Sequence, residues 1–285
     1  MTVLTLLTIA APLAATAQSR VMIGGRPAPG QTVRLRMTQE MDFEFKPVGE
    51  PAPGMPKDGI RSKGKSTLIL KQDVGEADAE GRLRLVLTYE DVSQDLKVND
   101  VAVPIQEQAN DAIRGKVVTM VIASNNEVLE VKAPDGFPIP PDQLKQFLGP
   151  LAASVPHQEM SIGETVSLPF SMALPMPTPG GAPPLLIGQT KTTLTALTPE
   201  NDDQIATLDQ TFDVVLDSTN QTSAGNRVRM DVKISGSGTT NTFVKGGLVK
   251  STTMKATLSG RFEPPNGTTA LKLTGTMGMT VERVQ

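Results

Sequence analysis

The chain has 285 residues, of which 38% are hydrophobic and 20% charged, and its net charge is −3 at pH 7. This composition supports a buried core, and the acidic balance argues against the basic surface that nucleic acids need, so no nucleic-acid partner is predicted. The absence of Cys excludes thiol catalysis, disulfides and cysteine metal sites, and the single His leaves one candidate base for a serine-type triad.

The N-terminus predicts an export signal. Residues 3–14 are apolar or small, and no charged residue occurs before Arg20. Ala15-Thr16-Ala17 then forms a small-x-small cleavage pattern, so residues 1–17 are interpreted as a signal peptide and the mature chain as periplasmic or secreted. The apolar run is too short to span a bilayer, and no transmembrane span is predicted in the mature chain. A buried N-terminal strand is the alternative interpretation.

The next segment predicts a long strand with one dry side. Charged or polar residues occupy the even positions, and the apolar residues at odd positions are Val33, Leu35, Met37, Met41, Phe43 and Phe45. This period-2 alternation is typical of a half-buried strand. Further strands are predicted from Leu68 and from Leu83, and the alternation of the latter shifts at Val92, which predicts a β-bulge.

The rest of the chain predicts further strands and few helices. A helix is expected near 141–153, with Pro150 interrupting its last turn, and a second short helix is expected before Gly115. Gly246-Gly247 and Asn125-Asn126 are expected hairpin turns. Strands are predicted at 117–122, 128–131, 166–174, 190–197, 205–216, 228–234, 239–244, 248–262 and 270–284.

The two halves of the chain resemble each other. Residues 30–35 (Gly-Gln-Thr-Val-Arg-Leu) correspond to residues 163–168 (Gly-Glu-Thr-Val-Ser-Leu), and a Pro-rich segment follows in each half. We interpret this as a duplication, with a first β-rich half at 18–156 and a second at 157–285. Coincidence is the alternative, because such short motifs are common in β-rich chains. The predicted fold class is mainly β, with two tandem antiparallel β-meander half-barrels and one or two short helices.

Residues with catalytic potential form no convincing site. His157 lacks a second His or a Cys with which to hold a metal, and a lone His is usually a surface residue or a satisfied hydrogen-bonding group. The acidic residues Glu76, Asp78 and Glu80 lie between glycines and are interpreted as a solvated turn. We therefore predict no catalytic residues, no cofactor and no metal site.

Methionine is the most informative residue type. The chain has 13 Met against 8 Phe and 1 Tyr. Because Met is unbranched and adaptable, Met-rich strand faces suit flexible apolar ligands, although ordinary core packing is the simpler alternative. The candidate lining of an apolar cavity is Met37, Met41, Phe43, Phe170, Met172 and Met230.

A family resemblance rests on three features of the layout. These are the long alternating strands, a Pro-flanked central helix, and the hairpin at residues 243–247 followed by Leu248 and Ser251. The chain is similar to secreted bacterial proteins of uncharacterised function, and in layout it resembles the half-barrel proteins of the periplasmic lipoprotein-carrier class. The resemblance implies a curved antiparallel sheet that wraps a helical plug and encloses an apolar cavity for acyl chains.

These observations lead to one preferred function and two alternatives. The preferred function is an exported, non-enzymatic protein that binds an apolar ligand, such as a lipid, or an envelope partner in a concave sheet face. The first alternative is a structural or interaction module of the cell envelope with no ligand cavity. The second is a hydrolase that uses paired carboxylates. The sequence does not determine the oligomeric state.

Overall fold

The computed structural model describes residues 20–104, 110–153, 156–173, 185–217, 221–223, 226–263 and 269–284. The predicted signal peptide and the Pro-rich segment 175–184 lie outside the described residues. One helix, α1, spans Pro141–Ala153. The strands are β1 (Val21–Ile23), β2 (Thr32–Pro47), β3 (Ile60–Ala77), β4 (Leu83–Val98), β5 (Val101–Ala102), β6 (Val117–Ile122), β7 (Val128–Lys132), β8 (Gln158–Met160), β9 (Thr165–Ala173), β10 (Leu185–Glu200), β11 (Asp203–Asp217), β12 (Gln221–Ser223), β13 (Asn226–Phe243), β14 (Val249–Glu263) and β15 (Leu271–Val284).

Most strands belong to one antiparallel sheet of 13 strands. Its main path runs β7-β6-β4-β3-β2-β15-β14-β13-β11-β10-β9, with β5 on β4 and β12 on β13, while β1 pairs with β8 in a separate small sheet. The predicted class, mainly β with antiparallel meanders and a short helix, is confirmed. The division into residues 18–156 and 157–285 stays a prediction, and strands from both segments contribute to the same sheet.

The two segments are joined by β2 and β15. These strands pair from Pro47 with Leu271 to Arg34 with Val284, so the joint is hydrogen-bonded along nearly the whole length of both. The strands at the two ends of the order, β7 and β9, are not paired with each other in the described residues. The sheet is therefore continuous at one junction of the segments and open at the other.

The repeated Gly-x-Thr-Val motif forms the same turn twice. Gly30 has φ 77° and Gly163 has φ 87°, a left-handed conformation that favours glycine. The Gly30 amide donates to the Val74 carbonyl (2.8 Å), and the Gly163 amide donates to the Leu194 carbonyl (2.7 Å). In each case the strand shifts its register just after the acceptor, between Val74 and Ala77 and between Leu194 and Ala196. The two motifs thus share one local backbone geometry, and the duplication stays a prediction.

One end of the sheet is capped by β1 and β8. Ile23 and Met160 are 1% and 0% exposed, and they pack with Leu194 and Leu208. The chain then crosses close to the β13–β14 hairpin, where a Cβ on Gly25 would lie 2.6 Å from the Val244 carbonyl oxygen. A side chain at this crossing would overlap with the backbone, so the cap requires glycine there.

The helix packs inside the sheet. Its Leu144 is 4% exposed and joins a core cluster with Leu83 and Val118. Pro150 does not interrupt the helix as expected, because α1 continues to Ala153. Proline removes one backbone donor, but its φ suits a helix, and here the loss falls in the last turns. No helix in the described ranges is long and apolar enough to cross a membrane.

The expected break at residues 235–238 is wrong. Strand β13 continues through Gly236 and Gly238, which pair with Ala256 and Met254 of β14. A Cβ on Gly236 would lie 2.4 Å from the Phe212 ring, and one on Gly238 would lie 2.7 Å from the Met254 side chain. These glycines therefore make room for large neighbours on the same face rather than forming a turn.

Other local predictions are confirmed. The bulge near Val92 lies opposite Ile69 and Leu70, where the register of β4 shifts. Asn126 adopts φ 65° in the β6–β7 hairpin, and Gly247 adopts φ 59° in the β13–β14 hairpin. Of the second expected helix, residues 105–109 lie outside the described part of the chain.

We predict that Gly25→Ala destabilises the protein by about 1–3 kcal/mol, because the added methyl group overlaps with the Val244 carbonyl. The matched control is Gly278→Ala in β15, where the nearest atom to the new Cβ is 3.9 Å away. Urea unfolding of both variants measures the effect. Equal stability of the two variants would contradict the close approach.

A second prediction concerns the turn at Asp203. Burial opposes its charge, but the amides of Lys245 (2.9 Å), Gln204 (2.7 Å) and Gly246 (3.2 Å) donate to the carboxylate and lower its pKa below the ordinary value. Because the folded pKa is depressed, the stabilisation is present above the unfolded pKa and is lost as pH falls through the folded pKa.

Asp203→Asn should therefore lower the free energy of unfolding at pH 7 by about 1–3 kcal/mol, and the difference from the wild type should shrink in acid. Chemical unfolding at about pH 7 and about pH 3 measures it. Asp202→Asn, at the exposed neighbouring position, is the control and should have little effect at either pH. If the stability difference between Asp203→Asn and the wild type is unchanged in acid, this assignment is contradicted.

Candidate functional site

The large sheet has two chemically distinct faces. We call the inner face the side that carries Leu83, Val118 and Leu208, and the outer face the opposite side. Directly opposed residues of antiparallel neighbours project to the same face. One inner row runs across the centre of the sheet through Leu96, Gly64, Met41, Met277, Ala256, Gly236 and Phe212.

The inner face is uncharged over the central strands. The central row has no Asp, Glu, Lys or Arg, and the same holds for the row that contains Met37, Val281 and Thr252 and for the row that contains Phe43, Leu258 and Ile234. The outer face of the same strands carries the charges, since Glu40 and Asp42 alternate with Met41 along β2. A group bound over these three rows therefore meets apolar or neutral polar side chains. A positive charge lies on the inner face beyond them: Arg283 is opposite Leu35, with its guanidinium over the Phe243 ring.

The inner face is fully buried only at its ends. Leu83 and Val118, under the helix, are 1% and 0% exposed. Over β2, β14 and β15, Val33 and Val281 are buried, but most inner apolar side chains are half-buried. The half-buried ones include Met37, Met41, Phe43, Phe45, Met254, Leu258, Leu271, Leu273, Met277 and Met279. Water reaches each of these side chains, so this surface, which we call the methionine face, is not packed like a core.

The structure divides the sequence-predicted lining residues into two groups. Met37, Met41 and Phe43 lie on the methionine face. Phe170 and Met230 pack against the buried cluster of Leu186, Val214, Leu216 and Val232, as do Leu258 and Leu273 at the border of the methionine face. The side chain of Met172 lies outside the described part of the chain. All five described residues share one face and are half-buried, and three of them lie on the central strand β2.

The open junction between β7 and β9 forms a cleft. Helix α1 contacts both of these edge strands and spans the gap between them. The cleft has a volume of about 880 Å³. It is lined by Asn125, Asn126, Glu127 and Val128, by Asp142, Lys145, Gln146 and Gly149 of the helix, and by Pro169, Phe170 and Ser171 of β9. Phe170 belongs to the inner face, so the cleft reaches that face at the edge of the sheet.

A second concavity, of about 730 Å³, lies over the central strands. Its lining includes Asp95 and Lys97 but not Leu96 between them, which places it on the outer face. Met41 and Met277 also border it, although their side chains project to the inner face. An adjoining recess of about 500 Å³ contains Asp42 and Arg61.

Among the described residues, every carboxyl group whose pKa departs from its ordinary value has a lowered pKa. Arg61 donates to Asp42 through two bonds of 2.6 and 2.8 Å and lowers its pKa. Hydrogen bonds from Thr32 lower the pKa of Asp73, and bonds from Arg82 lower that of Asp78. A glycosidase acid needs a raised pKa, so these groups are suited to ion pairing rather than to proton donation. Burial raises the pKa of Tyr89, whose ring lies beside Phe137.

His157 has a structural contact. Its Nδ1 lies 2.7 Å from the Gly24 carbonyl oxygen, and since a carbonyl only accepts, Nδ1 donates. Within the described ranges no group of three or more His, Asp or Glu side chains is arranged to hold a metal ion.

Comparison with known proteins gives no family. No family model and no curated protein sequence matches the chain. It is similar to lipovitellin, in a structure concerned with lipid–protein interactions, at 10% identity and a TM-score of 0.47, over 91% of this chain and 26% of that one. It is also similar to an outer membrane channel from Pseudomonas putida F1, at 9% identity and a TM-score of 0.23, over 92% and 98% of the chains. The chain thus spans about a quarter of the lipovitellin chain.

We predict that Arg61→Gln raises the pKa of Asp42 towards its ordinary value, because the two donated bonds and the nearby positive charge are lost. A carboxyl-detected NMR titration measures it. Arg82→Gln is the reciprocal control and should raise the pKa of Asp78 while leaving Asp42 unchanged. An unshifted Asp42 in Arg61→Gln would show that another donor holds the charge.

Proposed function

We propose that this protein is an exported, non-enzymatic binding protein that takes an apolar ligand, such as an acyl chain, on the methionine face. The observation that carries the proposal is a set of uncharged central inner rows in which most apolar side chains stay half-buried across β2, β14 and β15. Apolar surface left in contact with water is unfavourable by about 25 cal/mol per Å², and a ligand that covers it recovers this free energy.

The side chains on this face suit a flexible ligand. Met41 pairs with Met277, and Met254 pairs with Met279, so methionines adjoin across neighbouring strands. Unbranched thioether side chains change rotamer at low cost and adapt to chains of different shape. A surface lined by rigid aromatic rings would favour one ligand shape instead.

The cleft beside α1 provides a route to this face. The edges of β7 and β9 are not hydrogen-bonded to each other, and a helix satisfies its own backbone groups without closing the sheet. Small movements of α1 would widen the opening without breaking sheet hydrogen bonds. Export is proposed because the apolar run at 3–14 precedes a small-x-small cleavage pattern.

A structural module without a ligand is less well supported by the same face. Such a module gains stability by burying its apolar residues fully, as Leu83 and Val118 are buried under the helix. The half-buried methionines depart from that pattern. The hydrolase alternative has no observation in its favour, since the shifted carboxyl groups all have lowered pKa values.

We predict that the neutral fluorophore N-phenyl-1-naphthylamine binds the full mature chain saturably, and that Met279→Lys weakens binding by about tenfold or more, because the ligand would bury an unpaired charge. The matched control is Thr280→Lys, the adjacent exposed position on the outer face of β15, which should bind like the wild type.

Thermal unfolding checks that each variant folds, and Met279→Ser replaces Met279→Lys if the latter does not. Absence of saturable binding by the wild type would overturn the proposal. Equal binding by the inner-face and outer-face lysine variants would overturn the assignment to the methionine face.

A further inference from the structure

One inner row has polar side chains at both of its ends. It runs through Gln94, Ser66, Gln39, Met279, Met254, Gly238, Gln210 and Thr192. It lies between the row of Met37 and the row of Met41, so neutral hydrogen-bonding groups flank its central methionines on either side. Gln39 is the polar exception among the odd positions of β2.

The two ends of this row differ in their hydrogen bonds. Thr240 donates to the Gln210 side-chain oxygen (3.1 Å), and the Gln210 amide donates to Thr192 (3.5 Å). At this end of the row, the polar side chains therefore hydrogen-bond to one another. Gln39 and Gln94 are exposed on the inner face, and neither side-chain amide has a hydrogen-bond partner among the described residues. Each offers two N–H donors and a carbonyl acceptor beside the methionine face.

The surroundings of these amides restrict what they can bind. The inner rows directly beside them contain no Lys or Arg to pair with an anion and no Asp or Glu to pair with a cation. The inner-face cation Arg283 lies two rows further along β15 from Met279, and its guanidinium is over the Phe243 ring. Moving an ionised carboxylate or phosphate into such surroundings is costly without a counter-charge. An ester, amide or hydroxyl group exchanges its water hydrogen bonds for bonds to glutamine at little cost.

We propose that the inner face selects amphiphiles with an uncharged hydrogen-bonding head group, the class of acylglycerols and long-chain alcohols, and that Gln39 and Gln94 bind the head while the methionine face binds the chain. This inference rests on the proposed function and adds selectivity to it. The ionised fatty acid of the same chain length is the disfavoured ligand.

The test is displacement of N-phenyl-1-naphthylamine from the full mature chain by 1-tetradecanoylglycerol or by tetradecanoate at about pH 8, where the acid is ionised. The wild type should bind the glyceride about tenfold or more tightly than tetradecanoate. In the variant that combines Gln39→Leu with Gln94→Leu, glyceride affinity should fall about five- to tenfold while fluorophore binding stays unchanged.

Gln189→Leu is the matched control, because Gln189 is an exposed glutamine on the outer face and opposite Asp213. Fluorophore binding also reports that each variant is folded. Equal wild-type affinity for tetradecanoate and the glyceride, or an undiminished glyceride affinity in the double variant, would overturn the selectivity while leaving the apolar site intact. Failure of the wild type to bind the fluorophore would overturn the proposed function itself.

Discussion

The cost of burying an unpaired charge organises this molecule. In a long antiparallel strand every second residue faces the same side, so a sequence that alternates charged and apolar residues puts all its charges on one face. Strand β2 does this with Glu40 and Asp42 on the outer face and Met41 and Phe43 on the inner face. The outer charges then pair across strands, as Lys65 does with Glu40 (2.9 Å). Such exposed pairs add little stability, and their main consequence is that the central inner rows stay neutral.

The junctions between the two halves explain why the neutral face remains open. Both halves begin with the same glycine turn, and β2 and β15 close one junction with a full ladder of hydrogen bonds. At the other junction α1 takes the place of a strand pair between β7 and β9. A helix completes its own backbone hydrogen bonds and buries a narrow stripe, here around Leu144, so it fills part of the interior without sealing the edge.

Much of the architecture could be predicted from the sequence because its signals are local. Alternation identified the inner residues Met37, Met41 and Phe43, and asparagine or glycine marked the hairpins at Asn126 and Gly247. The errors came from contacts between distant strands. Gly236 signals a break when read alone, yet it lies within β13 because the Phe212 ring occupies the space of its missing side chain. Phe170 and Met230 lie half-buried beside the cluster that contains Val214, a packing relation that alternation along their own strands does not reveal.

Gln39 illustrates, within the candidate site, the difference between what the sequence shows and what only strand pairing shows. Its position is visible in the sequence as a polar residue among odd-numbered apolar ones, but its relation to Gln94 depends on the register of β2, β3 and β4. By itself the sequence determined which residues extend as strands, where several turns occur and which side of each strand is dry, because these properties depend on neighbours along the chain. Only the tertiary structure decided that β2 pairs with β15, that a helix spans the open junction and which side chains share a row, because cross-strand pairing joins segments that are far apart along the chain.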